Sequence, residues 1–520
     1  MAATHALSAK YATIFPFETI LKASGAVLSF FFTSIAIWMV RQPTSRNFAR
    51  CSMLPDRVYR LCSGNKTVSS ELAKDPTQAP SDIFHRLYSH PEQTGTKPVE
   101  ADSLQKAAKC GNWGDNKPSD LFLKIYHDAL CTLQNNPLSG VVSPPLMGSH
   151  GTIPLTIVAP LPDLCRHMAN CIARAEKEVF LATNFWIHSD ASTLITNALR
   201  ELSRRAGARG ERVVVKVIYD RGNPRQVYDN HLSVPEKKYT TGKVRLPSAK
   251  EIPNIDMQVI NYHRPVLGTF HAKFMIVDRR VALVQSSNIQ DNDNLEMMVR
   301  LEGPIVDSIY DTAVISWGRS FDTPLPMLPS PAAGEKGYEA VPEYINDEED
   351  GLSTLLKQHT TKHPHYDPDL LSEVRRVNSA LEPSAGESKT QAATKHLNTT
   401  IQHDTTGDAP DSDQEPQMKP YNLTPPHKSI PIALVNREPW GAPNHTSIYT
   451  PQNAAWLSAI QNAQHSIFIQ TPNMNARAYN PGSIGSRSPW YHCHLLRLPR
   501  IQRCRPASAV SERDERDDCK

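Results

Sequence analysis

The chain has 520 residues, enough for about three domains of average size. Its 56 Lys and Arg residues nearly balance 53 Asp and Glu residues, and the net charge of +3 argues against a protein that binds nucleic acid through a basic surface. The nine cysteines are scattered and contain no C-x-x-C pair, which argues against a zinc ribbon or a disulfide framework.

A hydrophobic segment without charged residues occupies residues 23–40, with Lys22 before it and arginines from Arg41 onward. Its length is at the short end of what spans a bilayer, and no A-x-A-like cleavage site marks it as a signal peptide. We therefore predict that residues 1–50 attach the protein to a membrane through a single N-terminal helix. The sequence does not specify the organelle. The arginines favour a cytosolic main body. A hydrophobic core helix is the alternative interpretation.

A lead-in segment follows over residues 51–150. It is rich in Pro, Ser and Asn, and its clearest helical pattern covers residues 119–134. We expect it to have only a modest core of its own. The Tyr126-His127-Asp128 triplet is expected on the surface of that helix.

Regular alternation of helices and strands begins at Pro160. Leu164, Met168 and Ile172 recur at the spacing of an amphipathic helix, which Asp163 is expected to cap. The pattern then predicts a buried strand, a second helix and a second strand, over residues 179–185, 194–205 and 213–219. This alternation predicts an α/β domain over residues 151–322, with a sheet flanked by helices.

The composition changes again over residues 323–430. No aromatic residue occurs between Tyr366 and Tyr421, and Ser, Thr, Gln, Pro, Asp and Lys dominate. Such a stretch buries too little apolar surface to offset its ordering entropy. We therefore predict a long disordered linker here.

An echo of the first domain appears after the linker, where five residues match at one constant offset. This favours an internal duplication, although any helix–strand unit shares some of this pattern. We interpret residues 431–480 as the start of a second repeat and residues 481–520 as an atypical tail. The pairs are Ile172 with Ile460, Ala175 with Ala463, Val179 with Ile467, Phe180 with Phe468, and Thr183 with Thr471.

The strongest chemical signal is His271-Ala272-Lys273 within an alternating run that predicts a strand. On a strand the two polar side chains share a face, about 7 Å apart. An ammonium beside an imidazole suits phosphate, because the lysine holds its oxygens while the histidine attacks phosphorus or transfers a proton. Asp278 ends this strand. Ser286, Asn288 and Glu296 follow, and a carboxylate can fix the tautomer of an imidazole.

The pattern H-x-K-x-x-x-x-D, followed by Ser-x-Asn and a later Glu, resembles the phospholipase D superfamily, whose members usually carry the motif twice. The resemblance covers roughly residues 51–322 and 431–480, and it extends to fungal phospholipase D-like proteins. It implies a mixed α/β sheet flanked by helices, with one complete repeat and the start of a second. Gln285 departs from the family, which often has Gly there. The implied catalytic residues are His271, Lys273, Asp278 and Glu296, and the implied phosphate-binding residues are Lys273, Ser286 and Asn288.

The resemblance implies a phosphodiesterase or phosphatidyltransferase that acts on glycerophospholipids through a phosphohistidine intermediate. It implies no metal or other cofactor. The expected partners are a phospholipid and a membrane, with a homodimer if the chain is active, and nucleic acid is not expected. The alternatives are a cardiolipin-synthase-type enzyme, a nuclease member of the superfamily, and a non-catalytic phospholipase D-like pseudoenzyme. Head-group and acceptor specificity stay open.

A second motif is missing from the sequence. The constant offset places the counterpart of His271 beyond Lys520, and nothing after Met474 matches H-x-K-x-x-x-x-D. We therefore expect this chain to be inactive as a monomer, either truly or because an altered reading frame changed the tail.

Other polar clusters give weaker signals. His492-Cys493-His494 suggests a metal, but neighbouring residues on a strand alternate in direction and no partner cluster is nearby. His188, Asp190 and His263 are interpreted as loop residues.

Overall fold

A computed structural model describes residues 53–89, 102–265, 267–292, 294–332, 365–397, 419–440, 449–471 and 492–497. The hydrophobic segment at residues 23–40 lies outside this part of the chain.

The lead-in segment forms five helices with a core of their own. Trp113 and Tyr126 pack edge to face in this core, with ring centroids 5.3 Å apart. The expected helix over 119–134 is present as α5 and a 3-10 turn, and Ser119 caps it. The surface position expected for Tyr126 and His127 is wrong, because both side chains are buried. The helices are α1 (Asp56–Cys62), α2 (Val68–Lys74), α3 (Pro80–Tyr88), α4 (Ser103–Lys109) and α5 (Asp120–Cys131).

The centre of the molecule is a ten-stranded mixed sheet with the order β10-β1-β8-β7-β6-β2-β3-β5-β4, to which β9 adds beside β1. Strands β2, β3 and β5 are parallel, and the other pairings are antiparallel. The strands are β1 (Gly148–Pro160), β2 (Glu178–Thr183), β3 (Val213–Tyr219), β4 (His231–Ser233), β5 (Ile255–Tyr262), β6 (Phe274–Val277), β7 (Val281–Gln285), β8 (Leu295–Glu302), β9 (Tyr421–Leu423) and β10 (Ile430–Ala433).

Helices cover both faces of the sheet, so its central strands are apolar on both sides. One face packs against α6 (Leu161–Ala173) and α7 (Asp190–Arg209), and the other against α9 (Ile305–Trp317) together with α2 and α3. A short helix, α8 (Glu236–Tyr239), lies between β4 and β5. The expected mixed α/β sheet flanked by helices is confirmed.

The N-terminus of α6 differs from the sequence prediction. The helix follows Pro160 without a side-chain cap, and Asp163 does not cap it. The Asp163 carboxylate instead accepts a hydrogen bond of 3.1 Å from His396, a residue of the predicted linker.

The linker predicted over residues 323–430 is not disordered throughout. It contains α10 (Leu370–Ser379), α11 (Lys389–Leu397) and β9, which pairs with β1. Val374 and Val377 of α10 are buried in the core beside α6, although the linker as a whole is poor in apolar residues. The charged residues that it buries are paired, such as Arg376 with Asp367 at 2.8 Å. The amino-acid composition does not reveal this ordered structure, because charged residues can be buried when they are paired.

A helix and a strand recur at the position of the expected second repeat. Helix α12 (Pro451–Asn462) precedes β11 (Ser466–Thr471), whose bounds stand at the same offset from β2 as the five matched residue pairs. β11 pairs in parallel with β12 (His492–Arg497), as β2 does with β3. The assignment of these elements to a second repeat remains a prediction.

The expected location at a membrane through an N-terminal helix is corrected by a search of the helices for a membrane span. Among the residues that the structure describes, no helix combines the length and the apolar character needed to cross a bilayer.

Candidate active site

Polar side chains gather where the strands of the central sheet end. The parallel strands β2, β3 and β5 end at one edge, and the antiparallel strands β6 and β8 begin there while β7 ends there. Except for Asp278, this edge collects the residues that the sequence predicted for the site, together with three further polar groups. The residues at this edge are Asn184, Asp220, His263, His271, Lys273, Ser286, Asn288 and Glu296.

His271 and Lys273 lie just before a strand, whereas the sequence predicted that they lie within it. β6 begins at Phe274, so His271 and Lys273 belong to the segment that leads into it. One ladder contact still fixes Lys273, because the backbone N–H of Gln285 donates to its carbonyl at 3.1 Å. The His271 side chain is exposed, whereas only 6% of Lys273 is accessible to solvent. The nucleophile candidate therefore faces solvent while the lysine stem is buried.

The residue before His271 is held from both sides. The backbone N–H of Phe270 donates to the Asp220 carboxylate at 2.6 Å, and its carbonyl accepts from the Asn184 side chain at 2.9 Å. Asp220 and Asn184 are buried, and so is Phe270. These two hydrogen bonds fix the peptide from which His271 projects.

Lys273 and His271 influence each other. The Lys273 ammonium donates to the His271 carbonyl at 2.8 Å. Burial lowers the pKa of Lys273 to about 8, against an opposing effect of the Glu296 carboxylate. Burial and the neighbouring Lys273 charge lower the pKa of His271 below its ordinary value. The imidazole is therefore neutral near neutral pH, the form in which a nitrogen lone pair is free to attack.

Ser286, Asn288 and Glu296 form hydrogen bonds among the strand ends, and no described hydrogen bond joins them to His271. Ser286 donates to the Glu296 carboxylate and accepts from the backbone N–H of Met297 at 2.9 Å, which joins the ends of β7 and β8. The Asn288 side-chain oxygen accepts from the backbone N–H of Phe185 at 3.3 Å. Within the described residues, Glu296 makes no hydrogen bond to His271. Its charge instead acts on Lys273.

Asp278 lies away from the other motif residues, at the opposite end of β6. The intervening strand separates it from His271 by roughly 20 Å at the rise of an extended chain. Its buried carboxylate accepts hydrogen bonds of 2.7 to 2.9 Å from the backbone N–H groups of Glu176, Lys177 and Glu178. Asp278 thus anchors the turn that leads into β2. This placement disagrees with the catalytic role that the resemblance implied for it.

Sequence reasoning missed Asn184 and Asp220. Each directly follows a buried strand, and a polar residue at such a position is the signal that was available. His263 was noted only as a loop residue, but its ring contacts Asp220 at 2.8 Å. His188 precedes α7 and Asp190 is its first residue, and none of the described contacts joins either to His271.

The tail motif His492-Cys493-His494 lies in β12, whose side chains are outside the described part of the structure. Among the described side chains, no group of three His, Cys, Asp or Glu residues is placed to hold a metal ion.

Part of this fold matches a known protein family. Residues 168–314 match the family model "Cardiolipin synthase, PLD-like domain". The matched range includes His271, Lys273, Asn184 and Asp220. The resemblance to the phospholipase D superfamily is thereby confirmed for this stretch, which forms a phospholipase D-like domain. No curated protein matches the chain.

Solved structures with local similarity include NucT from Helicobacter pylori, at 18% identity over 32% of this chain and 97% of that one, with a TM-score of 0.21. Nuc from Salmonella typhimurium, a phospholipase D family member, is 20% identical over 30% of this chain and 89% of its own, with a TM-score of 0.21. Phosphatidylserine synthase from Haemophilus influenzae is 13% identical over 35% and 39% of the two chains, with a TM-score of 0.22.

Proposed function

We propose that this edge is a phosphodiester-cleaving site that acts on glycerophospholipids, with His271 as nucleophile and Lys273 as the phosphate-binding cation. A nitrogen of His271 attacks phosphorus, the bond from phosphorus to the leaving alcohol breaks, and the phosphatidyl group remains on the histidine. Water or a second alcohol then takes that group. The product would accordingly be phosphatidic acid or a new phosphodiester.

The observation that carries this proposal is the pairing of an exposed imidazole with a buried ammonium. The Lys273 ammonium, held at the His271 carbonyl, offers its remaining N–H groups to phosphate oxygens. Because its stem is buried, the electrostatic interaction of the ammonium with a phosphate is weakened less by water than it would be at the surface. The buried stem also loses little side-chain entropy when a phosphate binds. Such fixed charge stabilises a transition state better than a mobile surface lysine does.

Apolar side chains beside the site favour a lipid substrate. Leu295 is 52% exposed, Met297 50% and Phe185 39%, and each adjoins a site residue. The backbone N–H groups of Phe185 and Met297 donate to the side chains of Asn288 and Ser286, and Leu295 precedes Glu296. Exposed apolar groups that border a phosphate-binding edge suit the glycerol and acyl portions of a phospholipid.

We also propose the domain boundaries given by the sequence patterns. The family match at residues 168–314 supports a phospholipase D-like domain over 151–322. The recurrence of a helix and a strand as α12 and β11 supports the start of a second repeat within 431–480.

The test uses a substrate whose leaving group needs no proton. Dihexanoylphosphatidyl-4-nitrophenol should release a burst of about one 4-nitrophenolate per chain and leave a phosphatidyl group on His271, which mass spectrometry identifies. Thymidine 5′-(4-nitrophenyl phosphate), with the same leaving group, should react at least about tenfold more slowly if the site is adapted to lipid.

The matched control is His85→Gln, which changes an exposed histidine of α3 and should leave the burst unchanged. His271→Gln should abolish it. A burst that persists in His271→Gln, or a faster reaction with the nucleotide ester, would contradict the proposed nucleophile or the proposed substrate, respectively.

A further inference from the structure

His263 and His271 are the two ends of one segment that runs along the site edge. His263 follows β5, and the segment crosses the ends of β3 and β2 before entering β6. Phe270, next to His271, binds Asp220 after β3 and Asn184 after β2. The segment is therefore held over the same strand ends on which the proposed chemistry takes place.

A single buried carboxylate, that of Asp220, joins His263 to the residue that precedes His271. One oxygen of Asp220 accepts from Nδ1–H of His263 at 2.8 Å, and the other accepts from the backbone N–H of Phe270 at 2.6 Å. Phe270 directly precedes His271, and their Cα atoms are about 3.8 Å apart. The carboxylate is therefore bound to the residue next to His271. The backbone N–H of His263 is also fixed, by the carbonyl of Asn230 at 3.0 Å.

The second ring nitrogen of His263 is available for chemistry. Among the described residues, no hydrogen-bond partner meets Nε2, and the imidazole is 19% exposed. Gly222 lies beside this nitrogen, where a β-carbon would stand 3.4 Å from Nε2. The absence of a side chain at Gly222 leaves that side of the ring uncovered.

A buried histidine elsewhere in the chain shows the contrast. His167 also binds a carboxylate through Nδ1, that of Glu373 at 3.0 Å, but its Nε2 meets the Cys171 sulfur at 3.7 Å and its side chain has no exposed surface. Both nitrogens of His167 are used within the protein. His263 has the same carboxylate contact with one nitrogen left for a ligand.

We propose that His263, oriented by Asp220, is the group that donates a proton to the leaving alcohol. The proposal rests on the function proposed above. As the bond between phosphorus and oxygen breaks, its electron pair stays on the alcohol oxygen, which takes the proton from Nε2 of the His263 imidazolium. The new bond joins phosphorus to His271, and the hydrogen bond from Nδ1 to Asp220 orients the His263 ring for the transfer. The proposal thereby places the nucleophile and the proton donor in the same domain.

The experiment compares two esters of the same dihexanoylphosphatidyl group, one with 4-nitrophenol and one with choline. Nitrophenolate leaves as a stable anion, whereas choline needs a proton. His263→Gln should slow choline release about 10²- to 10⁴-fold and change 4-nitrophenol release by no more than about threefold. Asp220→Asn should shift the ratio of the two rates in the same direction, and His85→Gln should leave it unchanged.

The ratio protects the test against misfolding, because a smaller folded fraction lowers both rates equally. Equal slowing of both esters in His263→Gln, or no slowing of either, overturns this inference and leaves the proposed function intact. If the unsubstituted chain forms no phosphatidyl adduct even from the nitrophenyl ester, the proposed function is overturned, and this inference with it.

Discussion

The side-chain amide of Asn184 donates a hydrogen bond of 2.9 Å to the carbonyl oxygen of Phe270, the residue before His271. Asn184 directly follows β2. The contact connects the core of the sheet directly to the peptide that carries the proposed nucleophile. It explains how an exposed histidine keeps a defined position.

Replacing Asn184 with Ala should slow the nitrophenolate burst about 10- to 100-fold, because a displaced nucleophile loses near-attack geometry. The lost hydrogen bond should also reduce the free energy of unfolding by about 1–3 kcal/mol. Stopped-flow absorbance and thermal melting measure the two effects. Asn422→Ala, at an exposed asparagine of β9, is the control. A folded Asn184→Ala variant with the normal burst rate would rule out this positioning role.

Replacing Lys273 with Met keeps the stem and removes the charge. The burst rate should fall by about 10²- to 10³-fold, because the charge on the phosphate oxygens is no longer neutralised. Lys273→Arg keeps the charge and should retain part of the activity. Since the stem remains buried, circular dichroism should show both variants folded. An unchanged rate in the Met variant would end the assignment of this lysine to phosphate.

The burst rate should have a maximum between the pKa values of His271 and Lys273. The pKa of His271 is lowered by burial and by the Lys273 charge, so the rate should rise with pH and level off below the ordinary value of 6.5. Burial lowers the pKa of Lys273 to about 8, so the phosphate-binding charge is lost as pH rises through that value. Lys273→Arg should move the alkaline limb to higher pH. An alkaline limb at the same pH in both proteins would assign it to another group.

Asp278→Ala should destabilise the fold without changing the chemistry of the folded molecules. Three backbone N–H groups lose their acceptor, two of them on exposed residues that water can reach, and the expected cost is about 3 kcal/mol. Denaturant titration gives this value, and the burst rate of the folded fraction should stay normal. Asp229→Ala breaks an exposed ion pair with Arg319 and should cost less than about 1 kcal/mol. Loss of the burst in folded Asp278→Ala protein would restore a catalytic role.

Glu373→Gln should detach α10 from α6. Glu373 is fully buried, and removing one partner of its contact with His167 should cost about 3–5 kcal/mol. Burial alone would raise the pKa of Glu373, but His167, Arg174 and Asn170 hold it below the ordinary value of 4.5. The stabilisation is therefore present above pH 4.5 and lost as the pH falls toward the lowered value.

Hydrogen exchange of residues 370–379 measures this attachment, with Glu382→Gln as the control at an exposed carboxylate of the same segment. Exchange should be fast only in the Glu373 variant. Equal protection in both variants would show that the apolar residues of α10 are sufficient to hold it.

The sequence by itself determined the class of fold and the central pair of the candidate site. Largely apolar runs at residues 179–185 and 213–219 predict strands that are buried on both faces, and β2 and β3 lie there. The spacing of His271 and Lys273 depends on local chain geometry, so neighbouring positions suffice to bring them together.

Only the tertiary structure shows which distant residues lie beside His271 and Lys273. Asn184, Asp220 and His263 follow three different strands, and only the parallel order of β2, β3 and β5 brings them to one edge. Asp278 has the motif spacing but lies at the opposite end of β6, because a strand separates its two ends in space however close they are in sequence. Glu373 of α10 pairs with His167 of α6 and with Arg174 just after it, and composition counts charges without showing their partners.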